Sequence, residues 1–220
     1  MTISLLLLAG LMGVVVWWLF KQSINVQPWL AQGSIRDVHE QVLARPAAKT
    51  ALWVFLAVVT SLFALFISAY AMRMHVGDWQ PLPKPMLLWW NTAVLVVTSV
   101  VMQRTVVAAR REDAGGLRIG LIAGGALTLA FLTGQLVAWR QLSDAGYFLT
   151  SNPANSFFYM LTAVHGLHVL GGLVAWGRTA SRVWHGADVA GVRLSVELCA
   201  IYWHFLLVVW LVVFVLLLST

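Results

Sequence analysis

The sequence predicts an all-α fold, a polytopic transmembrane helix bundle of about six spans. Composition is the first observation behind this: 60% of residues are hydrophobic, 10% are charged and mean hydropathy is +0.84. A soluble globule of 220 residues cannot hide that much apolar surface, whereas a lipid-facing bundle need not. The second is length, because six apolar runs approach the ~20 residues needed to cross a hydrocarbon core. The third is charge placement. The net charge of +6 is spread through short connections rather than gathered into a stripe, which excludes a nucleic-acid partner and reads as a topology signal.

The runs fall at about 3–20, 51–72, 86–103, 119–139, 154–177 and 194–218. MTISLLLLAG opens the first without a positive charge, and no small-x-small cleavage site precedes Lys21, so this run reads as a retained helix and not a secretory signal. Pro28, Gly33 and Pro46 surround a charged SIRDVHE stretch, which predicts a cytoplasmic connection at the membrane surface. Residues 1–50 are therefore an N-terminal helix with its connection, and residues 51–220 a five-helix core. Between the second and third runs, GDWQPLPKP carries three prolines that forbid a helix. Trp79, Trp89 and Trp90 around it are placed as interfacial anchors or packing residues.

Asn91 opens the third run and Gln135 lies inside the fourth, each expected to hydrogen-bond between helices. Arg110, Arg111, Glu112 and Asp113 between those runs read as a solvated loop, with a contact to anionic lipid as the alternative. Gly166, Gly171 and Gly172 in the fifth run predict close helix approach. The single cysteine, Cys199, lies inside the sixth run, so an intrachain disulfide is excluded. Counting the connections after the first, third and fifth runs, 11 of the 14 basic residues fall on one side, leaving Arg73, Lys84 and Arg140 on the other. By the positive-inside rule both termini then face away from the cytoplasm.

Ionisable groups inside the spans are the candidate functional residues, since polar groups in hydrocarbon are costly. His165 and His168 share a face of the fifth helix, and Glu197 and His204, two turns apart, share a face of the sixth. A short connection makes these two helices antiparallel neighbours, so the three imidazoles are expected at similar depth and able to meet between them. Hydrogen-bonded packing is the preferred reading. Haem or metal ligation is the sharper alternative, disfavoured because no carboxylate or cysteine completes a ligand set and the histidines occupy one level only. Lipid-headgroup contact and a proton path are further alternatives. No catalytic, cofactor-binding or metal-binding residue is assigned.

The runs SNPANSFFYMLTAVHGLHVLGGLVAW at 151–176 and VELCAIYWHFLLVVWLVVFVLL at 196–217 carry a family resemblance. They resemble subunit III of the haem-copper respiratory oxidases, in which an FFxLTxxHGxHVxxG helix precedes a final helix bearing a glutamate, four residues and YWH. The matching positions are His165, Gly166, His168, Val169 and Gly172, then Glu197, Tyr202, Trp203 and His204. LWVFLAVVTSLFALFISAY at 52–70, LWWNTAVLVVTSVVMQ at 88–103 and FLTGQLVAW at 131–139 resemble the family's other core helices, so the similarity covers about 51–220. Three family carboxylates fall at Val59, Ala138 and Leu207, and the histidine pair before the last helix's glutamate is replaced near Val192 and Arg193. The scaffold residues carry over; the intramembrane carboxylate chemistry does not.

The resemblance implies a non-catalytic integral membrane subunit of a proton-translocating terminal oxidase, most simply a cytochrome c oxidase of a bacterial inner membrane working in aerobic respiration. It implies packing against subunit I within a hetero-oligomeric complex, a bound phospholipid between helices, and haem and copper in the partner subunits rather than here. His165, His168, Glu197, Tyr202, Trp203 and His204 are then a structural polar cluster or lipid contact. A quinol oxidase subunit III or a nitric oxide reductase accessory protein would use the same scaffold, and the composition of the purified complex separates them. A small transporter is the alternative from another class, but inverted halves and broken midplane helices are not evident.

Overall fold

The computed structural model describes residues 36–80, 83 and 86–219, with side chains described from residue 47 onward. The first apolar run, at 3–20, lies outside the described residues. The chain divides into two compact units, Met1–Ala47 and Ala48–Thr220, and the packing below belongs to the second. The described residues form helices α1 (Arg36–Arg73), α2 (Leu87–Arg110), α3 (Ala114–Asp144), α4 (Pro153–Trp184) and α5 (Val189–Leu218), with no strand among them. Each contains a segment long and apolar enough to cross a membrane, that of α1 being Ala47–Arg73.

The helices outrun the apolar segments. α1 is already helical at Arg36, so part of the segment expected as a surface connection is helix, and α3, α4 and α5 each begin or end several residues beyond the runs read from hydropathy. The physical reason is that apolarity marks the depth of hydrocarbon, whereas a helix ends where a cap closes it. Asp113 Oδ1 accepts the backbone N–H of Gly116 at 3.0 Å to start α3. Asn152 Oδ1 accepts that of Ala154 at 3.1 Å to start α4, where Pro153 supplies a pre-set φ. Gly146 and Gly186, at φ +86° and +80°, take the left-handed conformation just past α3 and α4.

Helices α2 to α5 close into a four-membered ring in which α2 packs on α3, α3 on α4, α4 on α5 and α5 back on α2. All four contacts are antiparallel, as the pairings Asn91 with Gly134, Leu121 with Trp176, Thr179 with Cys199 and Arg110 with Glu197 show. Phe131 and Trp210, both fully buried, meet edge to face at 5.1 Å in its core. Glycines on α3 permit the closeness: a Cβ at Gly125 would strike the Trp176 ring, and one at Gly134 the Asn91 amide. Gly172 likewise makes room for Tyr202 and Trp203, but a Cβ at Gly166 or Gly171 would meet nothing within 4 Å, so of the three glycines expected to mediate helix approach only Gly172 does so among the described residues.

α1 is held differently. Val59, Phe63 and Tyr70 form a second, smaller cluster with Leu161, Val209 and Val213. Only 17% of its most apolar window is buried, against 39% in each of the other four helices.

Candidate functional site

Glu197 lies near the start of α5, at the end of the bundle that carries most of the arginines, with its side chain 15% exposed. Three cations converge on it: Arg110 Nε at 3.0 Å, Arg193 Nε at 3.5 Å and Lys49 Nζ at 3.9 Å. One carboxylate thus ties α1, α2 and α5 together at their charged ends. Arg110, read from sequence as part of a solvated loop, is the nearest of the three cations in this tie. Asp113 caps α3, and Glu112 turns the chain between them at φ 57°.

The histidines take three different neighbours instead of one another. His165, fully buried, places Nε2 3.1 Å from the Leu206 carbonyl and its ring against Phe131 and Trp210. His168 bonds back to the Val164 carbonyl of its own helix at 2.7 Å and turns its ring toward Phe63 of α1. His204 faces α2, with Nδ1 2.5 Å from Ser99 Oγ and Nε2 3.1 Å from Gln103 Oε1. Residues three apart on a helix differ by ~60° in direction, enough to aim His165 at the ring core and His168 at α1. Among the described residues no three His, Cys, Asp or Glu side chains gather in a way that could hold a metal ion.

Tyr202 and Trp203 stitch α5 to its neighbours. The Tyr202 hydroxyl donates to the His168 carbonyl at 3.0 Å, and Trp203 Nε1 donates to Thr128 Oγ1 of α3 at the same distance. Ser99, Gln103 and Thr128 are partners that sequence reading missed. The available signal was a set of polar residues inside apolar runs, with Ser99 and Gln103 one turn apart. Asn91 and Gln135 do the reverse of what was expected of them: Asn91 Nδ2 and both amide atoms of Gln135 are buried without a partner among the described residues.

Between α1 on one side and α4 and α5 on the other lies a cleft of about 600 Å³. Leu52, Phe55, Gly172 and Tyr202 give it apolar walls, and Arg178 and Arg182 stand at its charged end. Val59 and Ala138, where the resemblance places carboxylates, are buried apolar side chains, and Leu207 is partly buried against the core. Trp79 is no free anchor: its ring packs edge to face on Tyr70 at 4.9 Å, while Trp89 and Trp90 stay exposed at the ends of the spans.

The ring of antiparallel spans and the polar stitches within it define an integral membrane protein of the all-helical kind. The family model for cytochrome c oxidase subunit III matches residues 34–219. The probable cytochrome c oxidase subunit 3 of Mycobacterium tuberculosis is 32% identical over 156 residues, 70% of this chain and 76% of that one. The cytochrome c oxidase subunit 3 of Synechocystis is 37% identical over 95 residues, 41% of this chain and 38% of that one. That of Yarrowia lipolytica is 28% identical over 102 residues, 46% and 38% of the two chains. The chain belongs to the cytochrome c oxidase subunit III family, and so is a multi-pass membrane subunit of a hetero-oligomeric haem-copper oxidase.

Proposed function

We propose that this subunit serves its oxidase as a scaffold that packs against subunit I and holds a phospholipid in the cleft between α1 and the α4–α5 pair, while haem and copper reside in partner subunits. The observation that carries the lipid reading is the cleft itself. Its walls are apolar at the depth of acyl chains, and Arg178 and Arg182 supply two cations where a phosphate headgroup would lie. Glu197, Tyr202 and Trp203 act as positioning residues, fixing α5 so that the cleft keeps its width. On this reading the complex works in a bacterial inner membrane, with the arginine-rich ends of the helices cytoplasmic and both termini periplasmic, as the bias of basic residues favours.

Native mass spectrometry of the oxidase purified in mild detergent tests the lipid site. The subunit should leave the complex with phospholipid attached, and Arg178→Ala combined with Arg182→Ala should reduce that lipid several-fold without loss of haem or copper. Retention of the lipid in full by the double variant would overturn the assignment. The isolated, membrane-inserted subunit should show no haem absorbance; a stoichiometric haem band would refute the scaffold reading. Reporters fused after Arg111 and Trp184 should be cytoplasmic and one after Thr220 periplasmic, with the opposite pattern reversing the topology.

A further inference from the structure

Ser99, His204 and Gln103 form a short relay on the outside of the α2–α5 contact. With Gln103 Oε1 facing the imidazole, His204 donates from Nε2 and accepts at Nδ1 from the Ser99 hydroxyl. The relay ends on the Gln103 amide nitrogen, which has no partner among the described residues and belongs to an exposed side chain. His204 lies seven residues along α5 from Glu197, and Gln103 seven residues back along α2 from Arg110. The relay therefore sits about 10 Å inside the layer of charges around Glu197. Arg104, also exposed, stands beside it on α2 and takes no part in the ion pairs to Glu197.

Exposed hydroxyls elsewhere in the spans avoid this cost. Thr60, Ser61 and Thr133 each return their O–H to a carbonyl four residues back in their own helix. A glutamine amide engaged by an imidazole across the helix contact leaves its two N–H groups facing hydrocarbon unless another chain meets them. The apolar residues around the relay suit a helix. Val96, Val100 and Val107 on α2 and Leu211 and Val215 on α5 are exposed at steps that keep one stripe on each helix, on the outer side of their contact.

We infer that this α2–α5 seam receives a membrane-spanning helix of a partner oxidase subunit, one that presents a carboxylate or carbonyl acceptor to Gln103 and Arg104. The inference rests on the scaffold reading above and adds which face makes the contact and what chemistry meets it. Donors and a cation that find no partner among the described residues call for an acceptor, preferably anionic, on the other side, and the paired apolar stripes match the near-parallel packing of helices in membranes.

Photo-crosslinking in intact membranes, before solubilisation, tests this. A photoreactive side chain at Val100 or at Leu211 should cross-link to one and the same helix of a partner subunit, identified by mass spectrometry. The same group at Ile122 or Leu129, exposed on α3, should give lipid adducts. Gln103→Leu, at an exposed position outside the core, should lower the Val100 and Leu211 yields several-fold while the subunit remains folded. Lipid adducts alone from Val100 and Leu211, or cross-links from them to residues 1–35 of this chain, would overturn the seam as a subunit contact. If the oxidase nevertheless contains the subunit, attached through α1 or α3, the scaffold reading survives and only this surface fails. Absence of the subunit from the oxidase would defeat the scaffold reading itself.

Discussion

The α2–α5 ring and helix α1 hold their apolar residues by different means. In the ring, aromatic side chains from several helices interlock around Phe131 and Trp210, glycines bring α3 within reach of its neighbours, and indole N–H groups end on threonine hydroxyls of the facing helix. α1 has no glycine within the span, buries few residues, and is attached by Leu56 in the main core, by the small cluster around Phe63, by Lys49 at the charged end and by Tyr70 against Phe157 at the other. The difference teaches that in lipid apolarity alone does not join helices. What joins them is close van der Waals packing and matched polar groups, and α1 is poor in both. The same looseness leaves room for the cleft.

Trp210→Ala should be the most damaging substitution, because it removes a fully buried indole and its bond to Thr92 from the ring core, at a cost of about 3–5 kcal/mol. Chemical denaturation of the purified subunit in detergent, followed by circular dichroism, should show global loss of stability. Phe63→Ala should cost less, about 2 kcal/mol, because α1 can settle against the space and lipid can fill it. It should leave the ring folded while making a cysteine probe on α1 more reactive. Equal global destabilisation by the two changes would erase the distinction between ring and α1.

Glu197→Gln leaves Lys49, Arg110 and Arg193 without their shared carboxylate and should cost about 1–2 kcal/mol, read as loosening of α1, α2 and α5 at their charged ends in hydrogen exchange. Tyr202→Phe removes one hydrogen bond to the His168 carbonyl and should cost about 1 kcal/mol, weakening the α4–α5 contact while the aromatic ring keeps its place against Phe55 of α1.

The smallest effect concerns pH. The Arg73 guanidinium hydrogen-bonded to Asp78 holds that carboxyl below the usual carboxylate range. A depressed carboxylate contributes its tie above the unfolded pKa and loses it as pH falls through the folded value. The outer end of α1 should therefore loosen only in acid below the ordinary carboxylate range, seen as broadening in a spin label placed at Val76, and Asp78→Asn should remove that pH dependence.

Legibility followed the same division. The helices of the ring and the span of α1 were readable because lipid enforces long apolar runs, whereas the starts of α3 and α4 were not, because the caps at Asp113 and Asn152 lie outside those runs. Glu197 and His204 were readable as one face of α5, and both do face α2. The convergence of three histidines was not: a three-residue step left His165 and His168 with different neighbours, and that choice depends on where α1 and α3 stand. Asn91 and Gln135 were read as hydrogen-bonded from type alone, whereas pairing requires a partner at matching height on the facing helix, which the packing does not supply among the described residues.

By itself the sequence determined that this protein is a membrane-spanning helical bundle and which residues are polar within it, because the cost of unsatisfied backbone and charge in hydrocarbon leaves few other solutions. Only the tertiary structure decided which of those polar residues meet, that Lys49, Arg110 and Arg193 share Glu197, that a cleft separates α1 from α4 and α5, and that Gln103 is left facing outward. Those outcomes depend on helix rotation and register, which are set by contacts between residues far apart in the chain and are not encoded in the period of any one segment.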